Sequence, residues 1–279
     1  FVASDVSALL PVTRSFIFLD ENDVAVIQRK NIAIYDVDGN DVERPVKETS
    51  LASDAAERGD YRHFMQKEIH EQARAVADTI SQRIANGKVL DAAFGPKANE
   101  IFDQTAAIHI TACGTSYHAG LVAKYWIEQF CQIPCSVEIA SEYRYRSPVI
   151  LDKTLFITIS QSGETADTLA ALRAAKELPY LSTLSICNVA ESSLVRESDL
   201  VLMTHAGPEI GVASTKAFTT QLAALALLTI ALSRRHALDE KTEKTLVNQL
   251  SELPGLITKI LALDSAIESL ANNFVDKHH

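Results

Sequence analysis

Between residues 108 and 203, short apolar runs alternate with segments whose apolar residues recur at helical spacing. The apolar runs are 108–112, 137–140, 155–159, 183–187 and 200–203, and the helical segments are 115–130, 141–146, 166–178 and 192–197. Strands that alternate with helices form parallel pairs through right-handed crossovers, and helices then cover both faces of the sheet. The pattern therefore predicts an α/β fold built on a doubly wound parallel five-stranded sheet.

The segment ahead of this core has the pattern of short strands. Residues 15–27 contain two apolar runs around a polar turn at 20–23, and residues 31–43 repeat that arrangement around Asp38-Gly39. Asp-Gly between apolar runs is a strong hairpin signal. We therefore expect a β-rich N-terminal segment made of two hairpins.

A linker and further helices complete the predicted organisation. Residues 53–61 lose all periodicity and are rich in small and charged types, which is typical of a linker. Residues 62–84 and the stretch from 214 to the end return to helical spacing. We expect extra helices at both ends of the α/β core.

Composition narrows the classes of partner. The chain is 47% hydrophobic and 22% charged, as in soluble globular proteins. The net charge is −10, and the sequence contains no cluster of basic residues. Both features argue against a nucleic-acid partner. The most apolar run, 222–232, is too short to cross a bilayer, so we expect a buried helix and no membrane partner.

The cysteines and the chain ends bear on cellular setting. Cys113, Cys131, Cys135 and Cys187 fit neither a disulfide framework nor a metal-binding pattern. Small core cysteines and the lack of an apolar leader lead us to expect a reducing, cytoplasmic location. The chain begins at Phe1 rather than Met, so we expect a fragment of a longer protein.

Two strand ends in the core lead into similar loops. The run 108–112 continues into Cys113-Gly114-Thr115-Ser116, and the run 155–159 continues into Ser160-Gln161-Ser162-Gly163-Glu164-Thr165. Ligands of doubly wound sheets bind beyond the carboxyl ends of the strands, where helix N-termini favour an anion. Glycine permits close backbone approach, and the hydroxyls add donors. These loops therefore predict a phosphate site.

Simple helix capping is the alternative interpretation of these loops. Ser and Thr are good N-cap residues, and Gly is common in such turns, but two loops hold more hydroxyls than capping requires. Neither loop contains Lys, Arg or a nucleotide-binding glycine pattern, which favours a small sugar phosphate over a nucleotide. A third loop within 205–218 also joins a strand to a helix and is predicted to form the third wall of the pocket.

Several other side chains could support proton chemistry or bind an anion. Cys113 and His118 could form a thiolate–histidine pair, and Glu164 could act as a general acid or base. The remaining candidates are Arg144, Arg146, His205 and Glu209. Packing, helix capping or a helix-face position explains each of them more simply, so no catalytic residue is assigned.

Three motifs resemble a known family. They are ACGTSYHAG at 112–120, SQSGETADTLAALRAAKEL at 160–178 and EIGVASTKAFTTQ at 209–221. The second motif by itself resembles the broad sugar isomerase (SIS) family, whose fold is a flavodoxin-like three-layer sandwich. With LPVTRSFIFLDENDVA at 10–25 and YRHFMQKEIHEQ at 61–72, the chain resembles the glucosamine-6-phosphate synthase family over essentially its whole length.

The resemblance implies a division of the chain and an enzyme of which it is one part. Residues 1–52 correspond to the end of a glutaminase domain, residues 62–240 to a first SIS domain, and residues 241–279 to a helical lead-in to a second one. Enzymes of this family are aminotransferases of amino-sugar biosynthesis, converting fructose 6-phosphate and glutamine to glucosamine 6-phosphate and glutamate. The fragment is expected to be inactive alone, because the family's catalytic cysteine and second SIS half have no counterpart in it.

The resemblance also assigns binding residues. Thr115 and Ser116 of the first loop correspond to ligands of the sugar phosphate. The same holds for four residues of the second loop, Ser160, Gln161, Ser162 and Thr165. Val212 and Ser214 of the third loop correspond to positions that line the sugar. The implied ligands are fructose 6-phosphate, glucose 6-phosphate and glucosamine 6-phosphate, with no metal and no cofactor.

Partners and rival functions follow from the same comparison. SIS domains usually pair, and the apolar helix expected at 217–232 could support a partner surface, so we expect a homodimer. One alternative is a non-catalytic phosphosugar sensor, which would be accompanied by a basic DNA-binding arm. Another is a stand-alone isomerase, which would need its own base among Glu164, His205 and Glu209.

Overall fold

The computed structural model describes residues 1–3, 6–10, 12–20, 22–49 and 58–277. The chain divides into two compact units, Phe1–Gly59 and Asp60–His279. Most of the predicted linker at 53–61 lies outside the described residues. The predicted domain boundaries at 52, 62 and 240 stay predictions.

The first unit contains short strands in two antiparallel pairs. The strands are β1 (Ser15–Ile17), β2 (Val24–Ile27), β3 (Ile32–Tyr35) and β4 (Val46–Glu48), and a 3₁₀ turn covers Val6–Leu9. β2 pairs with β3, and β1 pairs with β4. β1, β2 and β3 form within the predicted apolar runs, whereas β4 lies after them. The predicted pairing of β1 with β2 is wrong, and the predicted reversal around Asp38-Gly39 forms with a single bridge, between Tyr35 and Asp41.

Side-chain hydrogen bonds shape both predicted turns of this unit. At the first turn, Arg44 Nη2 and Nε donate to the two carboxylate oxygens of Asp23 at 2.8 Å, which ties this turn to the approach to β4. At the second turn, the Asp36 carboxylate accepts from the Asp38 and Asn40 N–H groups at 2.9 Å. The chain reverses at this turn, with a bridge between Tyr35 and Asp41 and a hydrogen bond from the Val42 N–H to the Ile34 carbonyl at 2.8 Å.

The second unit alternates strands and helices in the predicted order. Its strands are β5 (Ile84–Ala85), β6 (Lys88–Val89), β7 (Ala107–Ala112), β8 (Cys135–Ile139), β9 (Thr154–Ser160), β10 (Ser182–Cys187) and β11 (Leu200–Met203). Its helices are α1 (Phe64–Ile80), α2 (Ala98–Gln104), α3 (Gly114–Phe130), α4 (Ala140–Tyr143), α5 (Ala166–Lys176), α6 (Ser193–Glu197), α7 (Lys216–Ser233), α8 (Glu240–Leu261) and α9 (Asp264–Ala271). Short 3₁₀ turns lie at Asp91–Phe94 and Asn272–Phe274.

The five long strands form one parallel sheet in the order β8-β7-β9-β10-β11. This order confirms the predicted doubly wound, five-stranded α/β fold. Side chains alternate across β9: Leu155, Ile157 and Ile159 join the larger core, whereas Phe156 joins a second core on the opposite face. The order of the strands along the chain reverses between β7 and β9, because β8 lies on one side of this pair and β10 and β11 lie on the other. A ligand crevice is therefore expected beyond the carboxyl ends of β7 and β9.

Helix α7 is the apolar core helix that the run at 222–232 predicted. Among the described residues it is the one helix with the length and mean hydropathy, 1.4, of a membrane span. Of its residues, 78% are buried inside the fold, where they pack beside α3 and α1. The side chains expected to support a partner surface are therefore mostly occupied within the unit itself.

Candidate functional site

The first loop forms the start of α3, directly after β7. Gly114 has φ +56°, and no atom lies within 4 Å of the place where a side chain would begin, so the backbone faces open space. Thr115 is exposed, and its hydroxyl makes no hydrogen bond to any residue that the structure describes. Ser116 is buried, and its Oγ accepts from Gln221 Nε2 of α7 at 3.0 Å. The hydroxyl protons of both residues remain available to a ligand.

The second loop is shaped by its own hydroxyls. Buried Ser160 ends β9, and its Oγ accepts from the Gly163 N–H at 3.0 Å and lies 3.2 Å from Thr165 Oγ1. Ser162 Oγ accepts from the Glu164 N–H at 3.2 Å, which leaves its own proton for a further acceptor. Helix α5 begins after Thr165, which makes no side-chain cap to it. The first N–H groups of this helix therefore lack intrahelical partners.

Tertiary contacts place these two loops beside one another. Thr168, in the first turn of α5, donates to Cys113 Sγ of the first loop at 3.9 Å. The Gln161 carbonyl accepts from the Asn188 N–H at 3.3 Å, which braces the second loop against the end of β10. The N-termini of α3 and α5 and a set of neutral hydroxyl donors thus lie together at the carboxyl ends of β7 and β9. Such a combination can hold a doubly charged oxyanion without a cationic side chain.

The third loop, residues 205–215, follows β11 and is folded around the Glu209 carboxylate. Glu209 accepts from the Thr215 N–H at 2.9 Å and the Ala217 N–H at 3.0 Å, and so caps α7. Ser214 Oγ donates to the same carboxylate at 3.1 Å. Val212 is fully exposed. Of the predicted site residues in this loop, Val212 is therefore accessible, whereas the hydroxyl proton of Ser214 is already engaged.

The other candidate side chains have structural partners. Glu164 Oε1 accepts from the Ser193 N–H at 2.7 Å and caps α6. Arg144 pairs with Asp167 at 2.8 Å, and Arg146 pairs with Glu138 at 2.7 Å. Burial lowers the pKa of His205, the nearby Arg83 charge lowering it further. These contacts favour a structural role for Glu164, as a helix cap, and for Arg144 and Arg146, as partners in ion pairs.

The cysteines behave as packed thiols. All four are unpaired, and burial raises the pKa of both Cys131 and Cys135 to about 12. The Cys113 thiol contacts the Thr168 hydroxyl. The His118 ring packs against the ring of Tyr117, with 5.5 Å between their centroids. No cluster of three or more metal-ligating side chains occurs within the described part of the chain.

Sequence reasoning missed two residues that support the site. Gln221, on α7, reaches back to Ser116 across 105 positions, and Glu68, on α1, binds the backbone of the third loop. Neither lies in a strand-end loop: Glu68 is a polar residue of the amphipathic helix α1, and Gln221 is a polar residue of the apolar helix α7. Only the packing of α1 and α7 against the sheet brings them to the loops.

The fold and site place this unit in a recognised class. Residues 100–231, which contain all five strands of the parallel sheet, match the family model described as the SIS domain. The chain is also 54% identical over 279 residues to glutamine–fructose-6-phosphate aminotransferase (isomerizing) of Shewanella oneidensis, and 55% identical over 279 residues to the Escherichia coli K12 protein of that name. In both alignments it covers 100% of itself but 46% of the relative. The chain thus spans just under half the length of these enzymes and fits a fragment of them.

Solved structures agree with this placement. The C-terminal domain of glucosamine-fructose-6-phosphate aminotransferase from Francisella tularensis is 50% identical with a TM-score of 0.77, covering 80% of this chain and 63% of that one. Tagatose-6-phosphate ketose/aldose isomerase from Escherichia coli is 20% identical with a TM-score of 0.55, covering 71% and 54%. The second likeness extends to the fold alone. The resemblance inferred from the motifs is confirmed.

Proposed function

We propose that the first and second loops bind the phosphate of a hexose 6-phosphate and that the third loop lines its sugar. The observation that carries this proposal is the position of two hydroxyl-rich loops after β7 and β9, where the sheet order reverses. Each hydrogen bond to a charged phosphate oxygen contributes about 1.5–3 kcal/mol, so a few such donors suffice. Thr115, Ser116 and Ser162 supply hydroxyl protons in this proposal, and the N-terminus of α5 supplies backbone N–H groups.

We propose further that the chain is the sugar-phosphate-binding part of an isomerising aminotransferase. The complete enzyme would convert fructose 6-phosphate and glutamine into glucosamine 6-phosphate and glutamate. Support comes from the identity of 54–55% to relatives that carry this name. Glu164 and Glu209 are engaged as helix caps, which argues against either as the proton-transferring base. Because the chain also spans only 46% of the length of these relatives, we infer that it binds phosphosugar but does not turn it over.

Calorimetric titration of the chain with glucose 6-phosphate and fructose 6-phosphate tests the binding proposal. Ser162→Ala should weaken binding about tenfold or more, because it removes a donor to a charged group. Ser136→Ala is the matched control: Ser136 is an exposed serine on β8, near the amino ends of the strands. An unchanged affinity of Ser162→Ala for glucose 6-phosphate would contradict a phosphate site in these loops. An affinity for glucose equal to that for glucose 6-phosphate would contradict it as well.

Turnover is tested separately. Incubation of the purified chain with fructose 6-phosphate and ammonium should yield no glucosamine 6-phosphate by mass spectrometry. The full-length protein, supplied with glutamine, should yield it. Formation of the product by the 279-residue chain would overturn the inference that it is a binding portion only.

A homodimer and a cytoplasmic location complete the proposal. The homodimer rests on the family resemblance, since most of α7 is buried within its own unit. Light scattering should give twice the 30.5 kDa chain mass, and a monomer mass would count against it. The unpaired state of all four cysteines supports a reducing compartment, which subcellular fractionation of the full-length protein would check.

A further inference from the structure

The backbone of the third loop is held by a carboxylate from a distant helix. Glu68 lies on α1 and is 2% exposed. Its Oε1 accepts hydrogen bonds from the Ile210 N–H at 2.6 Å and the Gly211 N–H at 2.9 Å. A buried carboxylate requires such donors, because desolvation of the charge is otherwise unfavourable. The contact therefore fixes the path of the loop one residue before Val212.

Gly211 is shaped to fit this carboxylate. A Cβ atom on Gly211 would lie 2.5 Å from Glu68 Oε2 and 3.5 Å from the Cα of Met65. The Oε2 atom is buried and accepts no hydrogen bond from the described residues. Any side chain at position 211 would push the carboxylate or the loop away. Close approach to Glu68, and not a left-handed φ, is therefore what favours glycine at this position.

A second carboxylate of α1 holds the other end of the same segment. Glu71 Oε2 lies 2.6 Å from Lys216 Nζ, and the Lys216 side chain is 3% exposed. Glu68 and Glu71 are three positions apart and so lie on one face of α1. Between these two anchors the loop turns around Glu209, and Val212 extends into solvent. The helix and the loop form one structural unit.

The direction of these hydrogen bonds restricts what the third loop can bind. The N–H groups of Ile210 and Gly211 point to Glu68, and those of Thr215 and Ala217 point to Glu209. These donors are therefore not available to a phosphate. Two carboxylates at the loop also disfavour a second anion. The third loop is suited to the uncharged part of a ligand.

We propose that Glu68 is a positioning residue for the phosphosugar site, acting through Gly211 on Val212 without touching the ligand. This inference rests on the proposed function of the three loops. It divides the site into a phosphate part, formed by the first and second loops, and a sugar part whose geometry depends on Glu68. The two parts predict different responses to two ligands, glucose 6-phosphate and inorganic phosphate.

The experiment titrates variants of the chain with both ligands. Gly211→Ala and Glu68→Ala, the second of which removes the acceptor of the Ile210 and Gly211 N–H groups, should each weaken glucose 6-phosphate binding about tenfold, the factor expected when one directed contact is lost, and leave phosphate binding within about twofold. Glu252→Ala, at an exposed position on α8, is the matched control and should change neither affinity. An equal loss of affinity for both ligands would indicate a merely structural role and overturn the proposal.

A double variant keeps the test decisive if a single variant folds poorly. Glu68→Asp shortens the side chain and withdraws the oxygen that a Cβ at position 211 would meet. Gly211→Ala should therefore cost less glucose 6-phosphate affinity in the Glu68→Asp background than alone, and additive losses would overturn the proposal. If the parent chain bound neither ligand, the proposed function would fall, and this inference with it. Binding by the parent with additive losses would remove the inference alone.

Discussion

Gly163 lies against Ser192 so closely that a Cβ atom on Gly163 would stand 2.1 Å from Ser192 Oγ and 2.7 Å from Cys187 Sγ. Its φ of +70° is also one that L side chains rarely adopt. Gly163→Ala should therefore destabilise the unit by about 2–4 kcal/mol, from backbone strain and steric overlap together. The free energy of unfolding in urea measures this cost.

Gly114→Ala is the natural control for that variant. Gly114 also has a left-handed φ, +56°, but nothing lies within 4 Å of its Cβ position. Backbone strain alone should therefore destabilise Gly114→Ala, by about 1–2 kcal/mol. Equal costs for the two variants would mean that the overlap with Ser192 is relieved without consequence.

The hydrogen bond from Gln221 to Ser116 predicts an asymmetry between its partners. Ser116→Ala leaves the buried Nε2 group of Gln221 without an acceptor, which should cost about 1–3 kcal/mol. Gln221→Met removes that donor together with Oε1, which accepts no hydrogen bond from the described residues. The second variant should cost less in urea unfolding. A larger loss from Gln221→Met would indicate that the carboxamide contributes beyond this bond.

Stability should fall when the solution is acidified because of His109. This residue lies in β7 with a 5% exposed side chain, and its Nδ1 is 2.8 Å from the Tyr180 hydroxyl. Burial lowers the pKa of His109 below its ordinary 6.5, although Glu138 partly opposes the shift. The unfolded chain therefore binds more protons as the pH falls below 6.5, so stability is retained above that pH and lost below it.

Urea unfolding at about pH 7.5 and about pH 5.5 measures this loss. His109→Gln should show a smaller decrease between the two pH values than the parent chain. Burial also lowers the pKa of His205 and His236, so part of the decrease should persist in the variant. An unchanged decrease would assign the whole effect to other groups.

The ion pair between Arg234 and Glu243 should be sensitive to loss of its cation. Arg234 Nη2 lies 2.8 Å from Glu243 Oε1, and the Glu243 side chain is 4% exposed. Arg234→Met leaves a buried carboxylate without its partner and should cost about 3–5 kcal/mol. The exposed pair Arg74–Asp78, at 4.0 Å, is the control, and Arg74→Ala should cost under about 1 kcal/mol. Similar costs for both would contradict the role assigned to burial.

The alternation of apolar runs was enough to predict the sheet and the two loops after β7 and β9. Both are local features, because strand ends and helix starts are set by neighbouring residues. The strand pairing of the first unit was not predictable in this way, since Arg44 reaches Asp23 across 21 positions. Glu68 and Gln221 were missed for the same reason. Their roles exist only after α1 and α7 have packed on the sheet.

The contact between Ser116 and Gln221 also bears on the order in which the molecule is assembled during translation. The N-terminal part of a chain leaves the ribosome first, and here the two partners are separated by 105 positions. A nascent chain that has released β7, β9 and β10 still lacks the helix that donates to Ser116. The candidate site is therefore completed only after α7 has been synthesised. A small molecule that binds it can protect finished domains, but not the incomplete chains that precede them.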